Sequence, residues 1–405
     1  MSTELVIDRS PFGFEAALLE DGRLVQVDLL DEPDEDPRGQ IRLGRVRRVD
    51  GDLGAAFVDC GLGADAYLGA RDARFLVGAG RDVPIERMLG EGQGVLVQVR
   101  RGPGDGKGPQ VTGDIALAGV SLVLRPHRRE VSLSARLART PAAAEQRARA
   151  ARLFPDIGVM LRRGASLARD AELLAELAQL QSRWRQIEAK AGAATPPARV
   201  HAVDPLQRLL LDQLSPELER IVVGDQATLV RARTWLAEWQ PARADRLVSL
   251  PDPFEAIGVA EQMEEALQPG VPLLGGGSLI IQATAALTAI DVNGGGRRAL
   301  EANLAAAPEI ARQLRLRRIG GTIVVDFVDL PARSARARLL EALRAALADD
   351  PEPVQVFAMS RFGLVEISRR RGGPSLAEML GRRCAACEGT GRIPSLPRRA
   401  RQLMR

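Results

Sequence analysis

Apolar and polar positions alternate in short runs along the first third of the chain. Glu4–Ile7, Phe14–Leu19 and Leu24–Leu29 read as strands, with Asp21-Gly22 as a hairpin turn. The acidic, proline-containing stretch DEPDEDPRG at 31–39 breaks the pattern as a linker would. From Ile41 to about Gly119 short alternating strands return, separated by glycines, and that rhythm predicts a small closed barrel of the OB class. Beyond Val120 the period changes. SLVLRPHRREVSLSARL and IGVMLRRGA read as strands, AAAEQRARAARL and DAELLAELAQLQSRWRQIEAKA as helices, and AGAATPPAR at 191–199 as a second linker. Between His201 and Gln268, the amphipathic helices DPLQRLLLDQL and QATLVRARTWLAEW flank the strand ERIVVGD.

The stretch from Gly275 to Asp329 carries the most chemistry. In LTAIDVN, alternation sets Leu287, Ala289, Asp291 and Asn293 on one face. In TIVVDFVD, Val324, Asp326 and Val328 share a face opposite Ile323, Val325 and Phe327, so Asp326 interrupts a strand that is apolar on both sides and is expected to be buried. Between the two runs, Pro308 suits the first turn of a helix and Gly320-Gly321 its stop, which makes a strand–helix–strand unit. A carboxylate in an apolar strand is costly without a compensating charge, and no lysine or histidine lies nearby in sequence. Magnesium answers that need, because it takes oxygen ligands and often only one or two protein carboxylates. The alternative makes Asp291 a turn cap and Asp326 the partner of an arginine, and spacing alone does not choose between them.

Composition narrows the field. The chain has 405 residues, enough for about three domains. Its net charge is only +4, yet lysine occurs only at Lys107 and Lys190, so the basic residues are almost all arginine. Arginine suits bidentate phosphate contacts, but a GC-rich genome also favours it, and composition does not establish nucleic-acid binding. Aromatics are scarce at 3%, which draws attention to Phe57 and to Tyr67, the sole tyrosine, in the predicted barrel. Such barrels stack bases on exposed aromatics, although a lone phenylalanine is more often core. The cysteines are Cys60 and the pair Cys384 and Cys387, which make no disulfide framework. With no signal peptide at MSTELVIDRS and no apolar run near 18 residues, the expectation is a soluble, cytoplasmic protein without membrane contact. Cys384 and Cys387 could bind zinc, but a closed site needs about four ligands and the chain has no second pair. His127 and His201 read as structural.

Four segments in order, LTAIDVN, NLAAAPEIARQLRLRRIGGTIVVDFVD, SRFGLVEISRRR and CAACEGTG, closely resemble the catalytic half of the ribonuclease E/G family. The likeness runs from the N-terminal strands to about Ser395. It implies a multidomain α/β fold: an OB-fold RNA-binding barrel (39–119) and a 5′-sensor (120–199) inserted in a discontinuous RNase H-like domain (1–38 and 200–268), then a DNase I-like catalytic domain (269–380), a zinc-link (381–395) and a basic tail (396–405). It further implies an endoribonuclease that cleaves single-stranded RNA to 5′-phosphate and 3′-hydroxyl ends. Magnesium would sit on Asp291 and Asp326 with Asn293 in support, and Phe57, Tyr67, Lys107 and Arg361 would contact RNA. Arg162, Arg163 and Val131 would hold a 5′-monophosphate, and Cys384 and Cys387 would share a zinc with a second subunit in a homodimer.

Departures from the family pattern matter. Arg163 stands where a threonine is usual, Ala285 replaces a glutamate, Ala385 replaces a proline, and the glycine-rich turn after Asn293 is several residues short. They keep two rivals in view: an inactive RNA-binding relative, and a zinc-linked platform for RNA-processing proteins.

Overall fold

The computed structural model describes residues 2–11, 13–31, 37–103, 108–202, 204–214, 217–382 and 384–387. The chain divides into two compact units, Met1–Arg23 with Asp28–Ile257, and Leu24–Val27 with Gly258–Arg405.

The N-terminal hairpin pairs Thr3–Ser10 with Gly13–Glu20 in full antiparallel register. Asp21 and Gly22, the turn between Gly13–Glu20 and the next strand Arg23–Asp31, both have positive φ, 49° and 74°, as a two-residue turn matched to strand twist requires. Leu218–Val223 joins Thr3–Ser10 in parallel, so residues far apart in sequence are neighbours in the sheet that also holds Gly13–Glu20 and Arg23–Asp31, and the barrel and small sheet between them are insertions. Asp204 and Asp225 cap the helices Pro205–Gln213 and Gln226–Trp239 with their side chains.

Within the insertion, Ile41–Asp50, Ala55–Asp59, Ala66–Gly69, Gln110–Thr112 and Gly94–Arg101 pair in that order. Gly94–Arg101 then returns to Ile41–Asp50 and closes a five-stranded barrel. Val46, Val58, Leu68, Val97 and Val111 fill it. The predicted linker at 191–199 needs correction. Ala198–His201 is a strand paired with Ile41–Asp50, and it follows a cis Pro196-Pro197 bond. A second small sheet orders Val131–Leu133, Val159–Leu161, Leu122–Leu124 and Leu117–Ala118, with the helix Asp170–Ala193 packed against it. ARL at 135–137, read from sequence as strand, is instead in a short helix, Ala135–Ala138.

The second unit has one six-stranded sheet in the order Gly270–Pro272, Ser278–Ala283, Thr288–Asn293, Gly321–Asp326, Leu364–Arg369, Val354–Val356. Only Thr288–Asn293 and Gly321–Asp326 are parallel, and the helix Ala299–Leu316 connects them. This helix and Arg333–Ala346 supply Ile310, Leu314, Leu339 and Leu343, which cover one face of the sheet over Leu279, Ile290, Val292, Val325 and Ile367. Pro308 lies well inside the helix, not in its first turn, because the apolar stripe starts earlier, with Ala302 and Ala306 both buried. The missing Pro308 N–H leaves the Leu304 carbonyl without its helical partner. The helix ends at Leu316, ahead of the expected glycines, and Arg318 takes the left-handed position with φ 54°.

Candidate active site and nucleic-acid interface

Thr288–Asn293 alternates strictly between buried and exposed: Ile290 and Val292 face the helices while Asp291 and Asn293 face away. In Gly321–Asp326, Ile323 and Val325 are buried on one face while Thr322 and Asp326 on the other are exposed and Val324 is half-buried. The expected burial of Asp326 is therefore wrong. The helices Ala299–Leu316 and Arg333–Ala346 cover one face of the sheet, and on the other face Asp291, Asn293 and Asp326 are exposed, so an apolar residue such as Val324 there does not imply a covered strand. The expected proximity holds. Parallel register sets Asp291 directly beside Asp326, and adjacent positions of this kind place side chains about 5 Å apart. Asn293 Nδ2 donates to Asp291 Oδ2 at 3.0 Å, which fixes one carboxylate oxygen and leaves the other free. Among the described residues neither aspartate has an arginine, lysine or histidine partner.

Two carboxylates side by side without a cation repel each other. A divalent cation relieves that repulsion, and the all-oxygen donor set fits magnesium, which keeps several waters and needs only one or two carboxylates. Among the described residues no group of three or more His, Cys, Asp or Glu forms a complete cage. Glu366 adds a third acid to this face. It pairs with Val324, one step diagonal from Asp326, and the period-two pattern of LVEISR carried that signal unnoticed.

Two glycine turns support the site. Gly275, Gly276 and Gly277 all have positive φ, as do Gly295 and Gly296. A Cβ on Gly277 would run into the Asn293 carbonyl oxygen, and one on Gly295 into the Gly277 backbone. The shortened turn after Asn293 is thus interlocked with its neighbour at the residue that orients Asp291. On the other side, the buried Asn303 donates to the Val328 carbonyl at 2.7 Å and accepts from the Val328 N–H at 3.0 Å, anchoring the chain just past Asp326.

Arg361 is exposed in the tight turn preceding Leu364–Arg369. Its neighbours do not share that freedom. Arg369 is buried and grips Asp350 at 3.0 and 3.1 Å, which makes it structural, whereas Arg370 is an exposed side chain paired with Glu352 at 2.7 Å.

On the barrel, Phe57 and Tyr67 are cross-strand partners. Their rings meet edge to face at 6.3 Å, and the Arg48 guanidinium lies 4.5 Å from the Phe57 centroid. Phe57 is half-buried on the outer surface, not in the barrel core, and Tyr67 is 40% exposed. Lys107 lies outside the described residues. Cys60 is inside the barrel, where burial pushes its thiol up to about 12.

Arg162 Nη1 donates to the Gly119 carbonyl at 2.9 Å and Nη2 reaches Asp212 at 3.4 Å, while Arg163 pairs with Glu217 at 3.1 Å. Val131 pairs with Val159, three residues before Arg162, which is about 10 Å along a strand. The arginines are neighbours; Val131 stands apart. Sequence reasoning missed Glu176, which sits on the buried stripe of its helix with Leu173, Leu177 and Leu180. Its carboxylate accepts the N–H groups of Ser121 (2.9 Å) and Leu122 (3.0 Å), next to the Gly119 carbonyl that Arg162 uses. Burial raises its pKa despite those bonds.

Cys384 is exposed and Cys387 half-buried. The backbone N–H groups of Cys387 and Ala386 donate to the Cys384 sulfur and lower its pKa. Two cysteine sulfurs three residues apart in a turn, one of them accepting backbone N–H groups, are a fitting half of a tetrahedral zinc site. The rest of the CEGTG turn and the basic tail lie outside the described residues.

A closed five-stranded barrel of the OB type in one unit, and in the other a mixed sheet with paired carboxylates on its open face, define a mixed α/β protein of several parts. The pattern of the ribonuclease E/G family matches residues 116–372, and the chain belongs to that family. Ribonuclease E of Synechocystis is 34% identical over 379 residues, covering 89% of this chain and 56% of its own length. Ribonuclease E of Nostoc is 35% identical over 376 residues, covering 89% and 55%. This chain thus spans about half the length of those two relatives. Ribonuclease G of Escherichia coli K12 is 31% identical over 437 residues, covering 100% of this chain and 87% of its own.

Proposed function

We propose that the protein is a magnesium-dependent endoribonuclease that cleaves single-stranded RNA in RNA processing or decay and prefers 5′-monophosphorylated ends. The observation that carries this reading is the in-register pair Asp291 and Asp326, exposed and without a cationic partner among the described residues. When bound, magnesium supplies positive charge for the phosphate oxygens and activates water. Asp291 and Asp326 hold the ion, and Asn293 keeps Asp291 turned toward it. Phe57 and Tyr67 stack bases, Lys107 and Arg361 take phosphates, and Arg162 and Arg163 receive the 5′-phosphate by exchanging Asp212 and Glu217 for it, with Val131 as a more distant apolar neighbour.

In this reading, residues 1–38 with 200–268 form the RNase H-like domain, 39–119 the RNA-binding barrel, 120–199 the sensor and 269–380 the DNase I-like catalytic domain. Cys384 and Cys387 in the zinc-link (381–395) share one zinc with a second copy of the chain, which gives a cytoplasmic homodimer. Among the described residues no helix is long and apolar enough to cross a membrane.

The deciding assay offers a short A/U-rich single strand, 5′-monophosphorylated or 5′-triphosphorylated, with and without magnesium. Cleavage only with magnesium, faster on the monophosphate, is expected. Equal cleavage in a chelator sinks the metal site, and equal rates on both ends sink the sensor assignment. Metal analysis should find about one zinc per two chains, and Cys384→Ser with Cys387→Ser should give monomers; a metal-free dimer contradicts the shared site.

A further inference from the structure

The loops at one end of the second unit's sheet belong together. Asp291 and Asp326 lie at the carboxyl ends of the two parallel strands. Ser278 pairs with Asn293, so the glycine turn at 275–277 closes at that same end. Leu364 pairs with Asp326, so the turn before it, Ser360–Gly363, closes there too, on the opposite side of the aspartates. The strand order therefore sets glycine turns, aspartate pair and Ser360–Gly363 turn in a row across the sheet. Carboxyl ends of parallel strands are where open α/β sheets receive ligands.

Phe362 occupies this turn and is 89% exposed, the most exposed of the large hydrophobic side chains among the described residues. Nothing about the turn is loose. Ser360 N donates to the Leu364 carbonyl at 2.8 Å, Gly363 N to the Ser360 carbonyl at 3.1 Å, and Ser360 Oγ accepts from Phe362 N and Leu364 N at 3.3 and 3.2 Å. Gly363 takes φ 83°, which closes the turn. The backbone thus presents an aromatic ring to water, one residue after the exposed Arg361 and two before Leu364, the residue paired with Asp326. Folding gains nothing from that placement, whereas a preorganised ring is what a stacked base needs.

We propose that Phe362 is a base-stacking residue that holds the nucleotide beside the scissile phosphate, with Arg361 on that nucleotide's phosphate. The proposal deepens the ribonuclease reading and rests on it. A single strand crossing the aspartates from the glycine turns meets Phe362 next, so the ring fixes how far the chain advances past the metal site.

The test measures binding of a short single-stranded RNA to the Asp326→Asn protein, with and without Phe362→Ala, on intact strands and on strands abasic at one position at a time around the cleavage site. Phe362→Ala is expected to weaken binding of the intact strand about five- to a hundred-fold. At one abasic position, next to the scissile phosphate, the two proteins should bind alike. Phe362→Trp should bind as Phe362 does, and Phe362→Leu should bind as Phe362→Ala does. The melting temperature should not move, because the ring touches little. Equal binding of intact RNA by Phe362→Ala overturns the proposal, and so does a loss that persists at every abasic position. A wild-type protein that neither binds nor cleaves RNA overturns the ribonuclease reading instead, a result distinct from either of these.

Discussion

Asp114 and the pair Asp291 and Asp326 are carboxylates in a chain rich in arginine, and they are treated in opposite ways. Asp114 is 2% exposed and accepts from Arg128 at 2.7 and 3.0 Å and from Arg125. Burial pushes its pKa up, but the two guanidiniums outweigh burial and hold it below its usual value. Arg128 in turn lies over the Phe75 ring. Asp291 and Asp326 stand in the open with each other and Asn293 as neighbours. One carboxylate has two cations and, among the described residues, the other two have none. Arginine is abundant, so the uncompensated pair supports the proposed reading in which these carboxylates take a cation from outside.

The largest effect should come from removing that charge. Asp326→Asn should lower magnesium-dependent cleavage by about three orders of magnitude or more, while the melting temperature stays level or rises slightly as like-charge repulsion is lost. A variant that cuts at the wild-type rate would remove the site. Asp114→Asn should do the reverse. It leaves two arginines without their carboxylate and should lower stability by about 3 kcal/mol, read as a fall in the denaturant midpoint with unchanged slope. The sign of its pH dependence follows from the lowered pKa. The Asp114 contribution is in place above about pH 4 and is lost as pH falls through the folded value, so the gap between wild type and variant should close in acid.

The comparison also shows what sequence could reveal. Alternation in LTAIDVN placed Asp291 with Asn293, and a hydrogen bond joins them. Register between strands separated by a helix is not written in either strand, so the pairing of Asp291 with Asp326 was an expectation until the sheet was seen. Burial of Asp326 was misread because Val324 and Val328 looked like a second apolar face, and whether helices cover a face depends on where the chain goes next. The strand at 198–201 was hidden behind two prolines that read as a linker. Phe57 looked like core because alternation alone does not say which face of a barrel strand points inward. Phe362 went unnoticed for a similar reason, since a phenylalanine beside Gly-Leu-Val reads as the start of a buried strand.

A smaller effect is expected from the glycine turns, which sharpen the contrast because they act on the open pair only through Asn293. Gly277→Ala sets a Cβ against the Asn293 carbonyl at a positive φ of 89°. The strand end must shift, and a displacement near 1 Å at a catalytic group can lower the rate about 100-fold. Cleavage should fall while the affinity for RNA, carried chiefly by the barrel, changes little. Equal loss of binding and rate would mean that the turn matters for folding and not for aiming Asp291.

The smallest effect should fall on the barrel surface, where neither full compensation nor open charge applies. Tyr67 is partly exposed and stands edge-on to Phe57, with Arg48 stacked over that neighbour. Tyr67→Ala removes one of the two rings on this surface, so binding of a short single strand should weaken by about 1–3 kcal/mol, the usual worth of one base–aromatic stack. The rate at saturating RNA should hold, because nothing on the barrel belongs to the Asp291–Asp326 pair. Phe57→Ala should weaken binding similarly and also lower the melting temperature, since its ring is half-buried and Arg48 rests on it. A Tyr67→Ala protein with unchanged affinity and a lowered melting temperature would turn the ring into a structural strut and move RNA recognition off this face.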